Sequence, residues 1–410
     1  MKTLPFQRGK GDRTVFVQAL ALTRYTVVNA LGRGVAATLE ALQSRRSGLR
    51  PCDFMDAALD TWIGRVDGLE IEPVVARLGE YDCRNNRLAQ LGLAADGFDA
   101  AVAAARARYG AHRIAVIIGT STSGILETEL AYRARDAAGK LPPAFRYRTA
   151  HENYSVTDFV RRTLQLQGPA FTVSTACSSS AKVFASASRL IESGLCDAAV
   201  VGGVDSLCFT TMYGFSSLEI VSRQPCRPAD AERNGISMGE AAGFALLEKT
   251  DGRGDAICLL GYGESSDAYH MSSPHPEGAG ARLAMSQALQ RSGLDAADID
   301  YINLHGTATR ANDSAENMAV AALFGGRTPC SSTKGWTGHT LGAAGITEVV
   351  IACLCLREGL LPASLNTVTV DPSFTMNVLL ENRRQPVKRV LSNSFGFGGS
   401  NAALILGVAR

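Results

Sequence analysis

The chain has almost no charge imbalance, few cysteines for its 410 residues and no long apolar run, and each shortage removes a class of protein. Lys and Arg number 41 against 39 Asp and Glu, a net charge of +2, so no nucleic-acid partner is expected. Ten cysteines occur without Cys-x-x-Cys pairing and far below disulfide-scaffold density. A zinc module is disfavoured, and a reducing, cytoplasmic setting is expected. No stretch reaches the roughly 18 apolar residues of a membrane span. The first thirteen residues are polar and basic, and the apolar stretch after them is broken by Gln18, Thr23, Arg24 and Asn29. That pattern suits neither a signal peptide nor membrane insertion. No Gly-Lys-Ser/Thr phosphate loop occurs, and Gly261-Tyr-Gly263 lacks the third glycine of a dinucleotide fingerprint, so no nucleotide cofactor is expected.

What is present is a 46% apolar chain long enough for a large α/β body. Short β-rich runs alternate with helical stretches. The predicted strands are 14–20, 114–118, 170–173, 198–201, 257–262, 301–304 and 390–394. The predicted helices are 35–43, 89–108, 178–192, 282–292, 313–324 and 344–357. Two segments can be laid on each other: Phe171-Thr-Val-Ser-Thr-Ala-Cys177-Ser-Ser-Ser, and Cys330-Ser-Ser-Thr-Lys334 running on to Gly338-His339. Both read as strand, small-residue turn and helix, which suggests two similar halves with a boundary near residue 255. No Pro- or Ser-rich linker separates them, so they are expected to pack as one body.

Cys177 follows a β-rich run and stands at the start of a helix among small residues. Helix N-terminal amides favour thiolate over thiol, so this position predicts a nucleophile with a depressed pKa. His305 and His339 lie in glycine-rich loops after strands, where α/β sheets bind ligands. Four other histidines, His112, His151, His270 and His275, lack that context. Lys334 precedes His339, and Asp313 and Glu316 open the helix after His305, so a lysine–carboxylate pair is expected beside the histidines. Backbone N–H groups of the loop 392–401 suit an oxyanion site with Phe397 as an apolar flap. A bulged hairpin accounts for the same glycines.

These residues resemble the β-ketoacyl-acyl-carrier-protein synthases, condensing enzymes of the thiolase-like fold, in their elongating ketosynthase branch. The resemblance runs over nearly the whole chain. It is carried by Val173-Ser-Thr-Ala-Cys177, Gly202-Gly-Val-Asp205, Cys226-Arg-Pro228 with Gly239-Glu240-Ala-Ala-Gly243, His305-Gly-Thr-Ala-Thr309 with Asn312-Asp-Ser-Ala-Glu316, Ser332-Thr-Lys334 with Gly338-His339, and Asn393-Ser-Phe-Gly-Phe-Gly-Gly-Ser-Asn401.

The resemblance implies an α/β thiolase-like fold of two similar βαβαβαββ halves in α-β-α-β-α layers. Residues 1–255 would carry the cysteine and 256–410 the two histidines. It implies acyl transfer from an acyl carrier protein to Cys177, then decarboxylative Claisen condensation with malonyl carrier. A fatty-acid, polyene or polyketide chain would grow by two carbons without a cofactor. Cys177 and Phe397 amides would form the oxyanion hole, with Phe397 as a gate. His305 and His339 would hold the malonyl thioester carbonyl, and Lys334 with Glu316 would order them. Thr122, Phe395, Thr307 and Thr309 fall at substrate-pocket positions, with Thr122 setting the pocket floor from the neighbouring subunit. Arg84 and Arg87 fall where relatives dock the acidic carrier. Asn303, Glu348 and Ser392 fall where some relatives hold a structural monovalent cation.

Assembly as a homodimer, or as a heterodimer with a related subunit, is implied in the same way. The alternative is a non-catalytic chain-length-factor-like partner that binds carrier without condensing. A degradative thiolase would want a second cysteine in the C-terminal glycine loop, and residues 396–400 contain none. Trp336, between Lys334 and His339, departs from the smaller residues of relatives and is expected to narrow the site mouth.

Overall fold

The computed structural model describes residues 17–250 and 255–408. Ten strands organise them: β1 Leu20–Asn29, β2 Ile114–Gly119, β3 Ala170–Val173, β4 Ala198–Asp205, β5 Ala241–Lys249, β6 Ile257–Ser266, β7 Tyr301–Asn303, β8 Pro329–Ser331, β9 Arg389–Gly396 and β10 Ser400–Val408. The spatial order is β3-β2-β4-β5-β1 for the first five and β8-β7-β9-β10-β6 for the second five. Numbered within each group, both read 3-2-4-5-1. The pairing sense repeats too. β3, β2 and β4 run parallel and β5 is antiparallel to β4 and β1. Likewise β8, β7 and β9 run parallel, and β10 is antiparallel to β9 and β6. Antiparallel pairing of β1 with β6 joins the two groups.

Burial divides the layers. In β2, Ala115 and Ile117 join one apolar cluster while Ile114, Val116 and Ile118 join another, the two-residue alternation of a sheet covered on both faces. The first cluster also takes in helices α2 Ser179–Glu192 and α5 Ala344–Glu358 together with Val390, Leu404 and Leu406 of the second group. Those two helices therefore form the shared central layer. Helix α1 Arg84–Ala94 covers the outer face of the first group. A helix at 279–292 and α4 Arg310–Phe324 cover the outer face of the second, where Ala284, Met285 and Val320 meet Ile302 and Ile405. This is the α-β-α-β-α layering of the thiolase-like fold. A further helix, α3 Phe209–Ser217, sits beside the cavity described below.

Several local expectations are corrected. The first strand begins at Leu20 rather than at 14, and residues 14–16 lie outside the described residues, as does the basic N-terminal segment. The helix expected over 89–108 is two helices, α1 and a second at 98–109, separated by left-handed Asp96 and Gly97. Asp96 leaves the helical path because its carboxylate accepts the Val35 N–H and the Thr26 hydroxyl. Strand β5 is absent from the expected strands, and β10 enters them only as the return arm of the hairpin at 392–401. Both are buried almost end to end, and such runs lack the alternation that marks a half-exposed strand. Trp336 is fully buried in the central cluster, its indole N–H donating to the Ala363 carbonyl at 2.8 Å, so it does not narrow the site mouth.

Candidate active site

The loops that follow equivalent strands of the two groups converge at the ends of the central helices. After β3 the chain makes an abrupt turn at Ala176, whose φ of 52° is left-handed, and Cys177 follows, two residues before α2 begins. On the other side, β7 leads into His305, and β8 leads through a one-turn helix at 334–337 to His339. His339 is held across the halves: its N–H donates to the Ser237 carbonyl at 2.7 Å and its carbonyl accepts from the Gly239 N–H at 2.9 Å. Glycine is required there, because a Cβ on Gly239 would stand 2.4 Å from the Thr337 carbonyl oxygen.

Cys177, His305 and His339 are all buried, and their ligand atoms lie within 4.8 Å of one another. His339 Nε2 is 3.1 Å from Cys177 Sγ, and the two imidazoles meet edge to face with centroids 5.4 Å apart. Hydrogen bonds fix both tautomers. The Leu341 N–H donates to His339 Nδ1 at 3.3 Å, and the Lys334 ammonium stands 3.4 Å from His305 Nδ1. With each Nδ1 accepting, each Nε2 carries the proton and is a donor. Burial first, and then the Lys334 charge, hold both imidazoles well below the ordinary histidine pKa, so neither ring is charged at neutral pH.

The sulfur departs from expectation. Burial pushes the Cys177 thiol up to about 12, while the Lys334 charge and the Phe397 backbone N–H, which donates to it, pull the other way. The resting group is a thiol rather than the thiolate predicted from its place at a helix N-terminus, because desolvating the anion outweighs those contributions. Alkylation of Cys177 by iodoacetamide should therefore rise roughly tenfold per pH unit from about pH 7 to 9 without levelling. A plateau near neutral pH would contradict this.

The lysine's partner also differs from the expected one. Lys334 pairs with Glu348 of α5, and its remaining hydrogen bonds go to the His305 carbonyl and ring. Glu316 instead accepts the His305 and Gly306 N–H groups, each at 2.8 Å, and the Asn393 amide at 3.0 Å. It sits on α4 facing back into the His305 turn, and burial raises it to about 7. Lys334 and Glu316 thus hold the same histidine loop from two sides without touching as a pair.

A cavity of about 520 Å³ opens onto the sulfur, and Thr307, Thr309, Phe395 and Phe397 line it together with Cys177 and both histidines. Phe395 packs on His305 at 5.7 Å. Phe397 tops a hairpin between β9 and β10 whose turn uses left-handed Gly398 and Gly399, and its ring meets Phe215 of α3 edge-on at 5.6 Å. The hairpin is present in unbroken register, without the expected bulge, and the Phe397 N–H is aimed at the sulfur.

Three sets of positions stand elsewhere. Thr122 is fully buried within its own chain, with its hydroxyl donating to Asp205 at 2.9 Å, so it presents no hydroxyl to a neighbouring subunit. Arg84 is buried and paired with Glu240 and Glu70, which removes its guanidinium from a docking surface, whereas Arg87 pairs with Asp82 and keeps 24% of its side chain exposed. Asn303 and Ser392 are register partners on β7 and β9, and both amide atoms of Asn303 lack a partner. Glu348 offers its second oxygen only to Ser394, at 3.4 Å. The unpartnered Asn303 amide is the feature at these positions that a hard cation would satisfy. The sequence signal of the Lys334–Glu348 pair is the lone carboxylate within the apolar run Ile346–Leu356, which requires a buried partner.

Residues 90–252 match the β-ketoacyl synthase N-terminal domain, and residues 257–368 match its C-terminal domain. A 3-oxoacyl-[acyl-carrier-protein] synthase 2 from Rhizobium meliloti (strain 1021) is 43% identical over 261 residues, 59% of this chain and 61% of that protein. The chain thus spans about three fifths of that relative's length. A 3-oxoacyl-[acyl-carrier-protein] synthase 2 from Vibrio cholerae is 30% identical over 411 residues, 94% of this chain and 98% of that one. A ketosynthase from Xenorhabdus doucetiae, solved in complex with its chain length factor, is similar at a TM-score of 0.87 and 40% identity, covering 96% of this chain and 98% of that one. With both domain types in order and near-complete matches in sequence and fold, the chain belongs to the β-ketoacyl synthase family.

Proposed function

We propose that this chain is an elongating β-ketoacyl-acyl-carrier-protein synthase, an acyltransferase that condenses an acyl group on Cys177 with malonyl carrier. The observation that carries the reading is a buried sulfur 3.1 Å from one of two neutral imidazoles in a common cavity. In the first step Cys177 attacks the thioester carbonyl of acyl carrier, the Phe397 and Cys177 amides take the oxyanion, and the thiol proton leaves with the carrier thiol. In the second, the malonyl carboxylate departs as CO2 and its bonding electrons become an enolate. His305 and His339 donate from Nε2 to the enolate oxygen. The enolate carbon attacks the acyl carbonyl, Cys177 is expelled as thiolate, and solvent returns its proton.

Lys334 and Glu316 order the histidine loops. Thr307, Thr309 and Phe395 form the substrate pocket, with Phe397 as its gate. Any cation at Asn303, Ser392 and Glu348 stiffens the strand ends and takes part in no step. Residues 1–255 and 256–410 are read as two thiolase-like halves, supported by the repeated strand order. The partners are acyl and malonyl carrier proteins and a second ketosynthase-like subunit, like or unlike. The solved ketosynthase with its chain length factor supports such pairing. The cytoplasm is the proposed location. Ten free cysteines support it, and no helix among the described residues is long and apolar enough to cross a membrane. The test is incubation with acyl carrier and malonyl carrier. A product two carbons longer, with one CO2 per turn, supports the enzyme; carrier binding without product supports the non-catalytic partner instead.

A further inference from the structure

Asp205 ends β4, is fully buried and takes no part in the steps above. Its carboxylate gathers donors from both halves of the molecule. From the loop after β2 it accepts the Thr120 hydroxyl at 2.6 Å, the Ser121 N–H at 2.9 Å, the Ser121 hydroxyl, and the Thr122 N–H and hydroxyl at 3.0 and 2.9 Å. From the second half it accepts the Gly342 N–H at 2.6 Å. A Cβ on Gly342 would stand 2.7 Å from Asp205 Oδ2, so glycine is what allows the carboxylate to reach that peptide.

The Gly342 peptide follows Leu341, a non-glycine residue at φ 52°, and the Leu341 N–H is the donor to His339 Nδ1. A left-handed leucine costs of order 1 kcal/mol or more and persists only where its surroundings over-determine it. The bond from Asp205 to the next peptide is such a constraint. It holds the turn in which the Leu341 N–H faces the imidazole, and that N–H in turn keeps the His339 proton on Nε2.

We propose that Asp205 is a positioning residue for His339, fixing through the Gly342 peptide the turn that keeps the Nε2–H aimed at the reacting carbonyl. The inference rests on the reading of His339 as enolate donor given above. It also ties the Thr120–Thr122 loop of one half to the histidine loop of the other, so a shift in either loop reaches the same carboxylate.

The test uses two variants of the full chain. Asp205→Asn keeps the side-chain shape and removes the charge. Gly342→Ala breaks the same link from the opposite side. Asp205→Asn is expected to acylate Cys177 within about threefold of the parent, while kcat for CO2 release from malonyl carrier falls roughly 10- to 100-fold with KM within about threefold. Gly342→Ala should show the same split, and the double variant should lose less than the product of the two singles. Because the Asp205 charge also helps to hold the Cys177 thiol up, Asp205→Asn should alkylate faster at Cys177 while it decarboxylates more slowly. Loosened packing would slow acyl transfer to Cys177 along with decarboxylation, so the retained acylation is what separates a positioning role from a structural one. If one variant is insoluble, the other decides. CO2 release within threefold of the parent, or acylation and decarboxylation falling in step, overturns the proposal. If His339→Ala itself releases CO2 normally, the reading of His339 fails first and this inference with it. Loss in His339→Ala but not in the Asp205 and Gly342 variants overturns the positioning role alone.

Discussion

Cys177→Ala should gain no mass on exposure to acyl carrier and should lose condensation by at least roughly 10⁴-fold, the scale on which deletion of a nucleophile acts. The sulfur is placed to attack: it lies 3.1 Å from His339 Nε2 and receives the Phe397 N–H. Nine other cysteines stand in the chain, but Cys177 is the one that lines the cavity with both histidines. Removing one sulfur atom from a buried site costs packing on the scale of a methylene group or two, about 1–2 kcal/mol, so the variant should fold. Intact-protein mass and a melting curve together check the prediction. A folded variant that still takes up the acyl group would show that another nucleophile carries it.

His305→Ala and His339→Ala are expected to separate the two half-reactions. Each should still form acyl-Cys177, because attack on the thioester uses the sulfur and backbone amides. Each should lose roughly 10²–10³ in decarboxylation, the worth of one positioned donor to a developing oxyanion. The tautomers make this specific. Leu341 and Lys334 occupy the Nδ1 acceptors, leaving only Nε2–H to face the cavity. Burial and the Lys334 charge keep both rings neutral. Protonation on acidification would take hold only well below pH 6.5, so the histidine contribution should persist through the neutral range. Released CO2, measured apart from acyl transfer, distinguishes the outcomes; variants that decarboxylate at the parent's rate would remove both residues from that step.

Much of the catalytic constellation was legible because its chemistry demands unusual local sequence. A cysteine between a β-rich run and a helix, and histidines in glycine-rich loops, stand out since ordinary cores do not need those combinations. The alignment of 171–181 with 330–344 suggested two similar halves, and the strand order 3-2-4-5-1 occurs twice in the sheet. Contacts distant in sequence did not show. Lys334 could not be paired with Glu348 from spacing, because the pairing depends on which face of α5 meets the histidine loop. Arg84 reads as a surface cation until Glu240, 156 residues away, is brought beneath it. Thr122 and Trp336 were expected at pocket surfaces, yet each satisfies its polar atom inward, at Asp205 and Ala363. The strands β5 and β10 lacked alternation because both of their faces are covered.

The central claim is that the acyl group waits on Cys177 and leaves it for a carbanion made beside it. The most direct measurement is a chase: enzyme carrying a radiolabelled acyl group is isolated, its label mapped to a peptide, and malonyl carrier added. The account predicts label on Cys177 alone, then its transfer into a product two carbons longer with one CO2 for each label released. Label on another residue, or label that stays on the protein or leaves only as free acid, would contradict it.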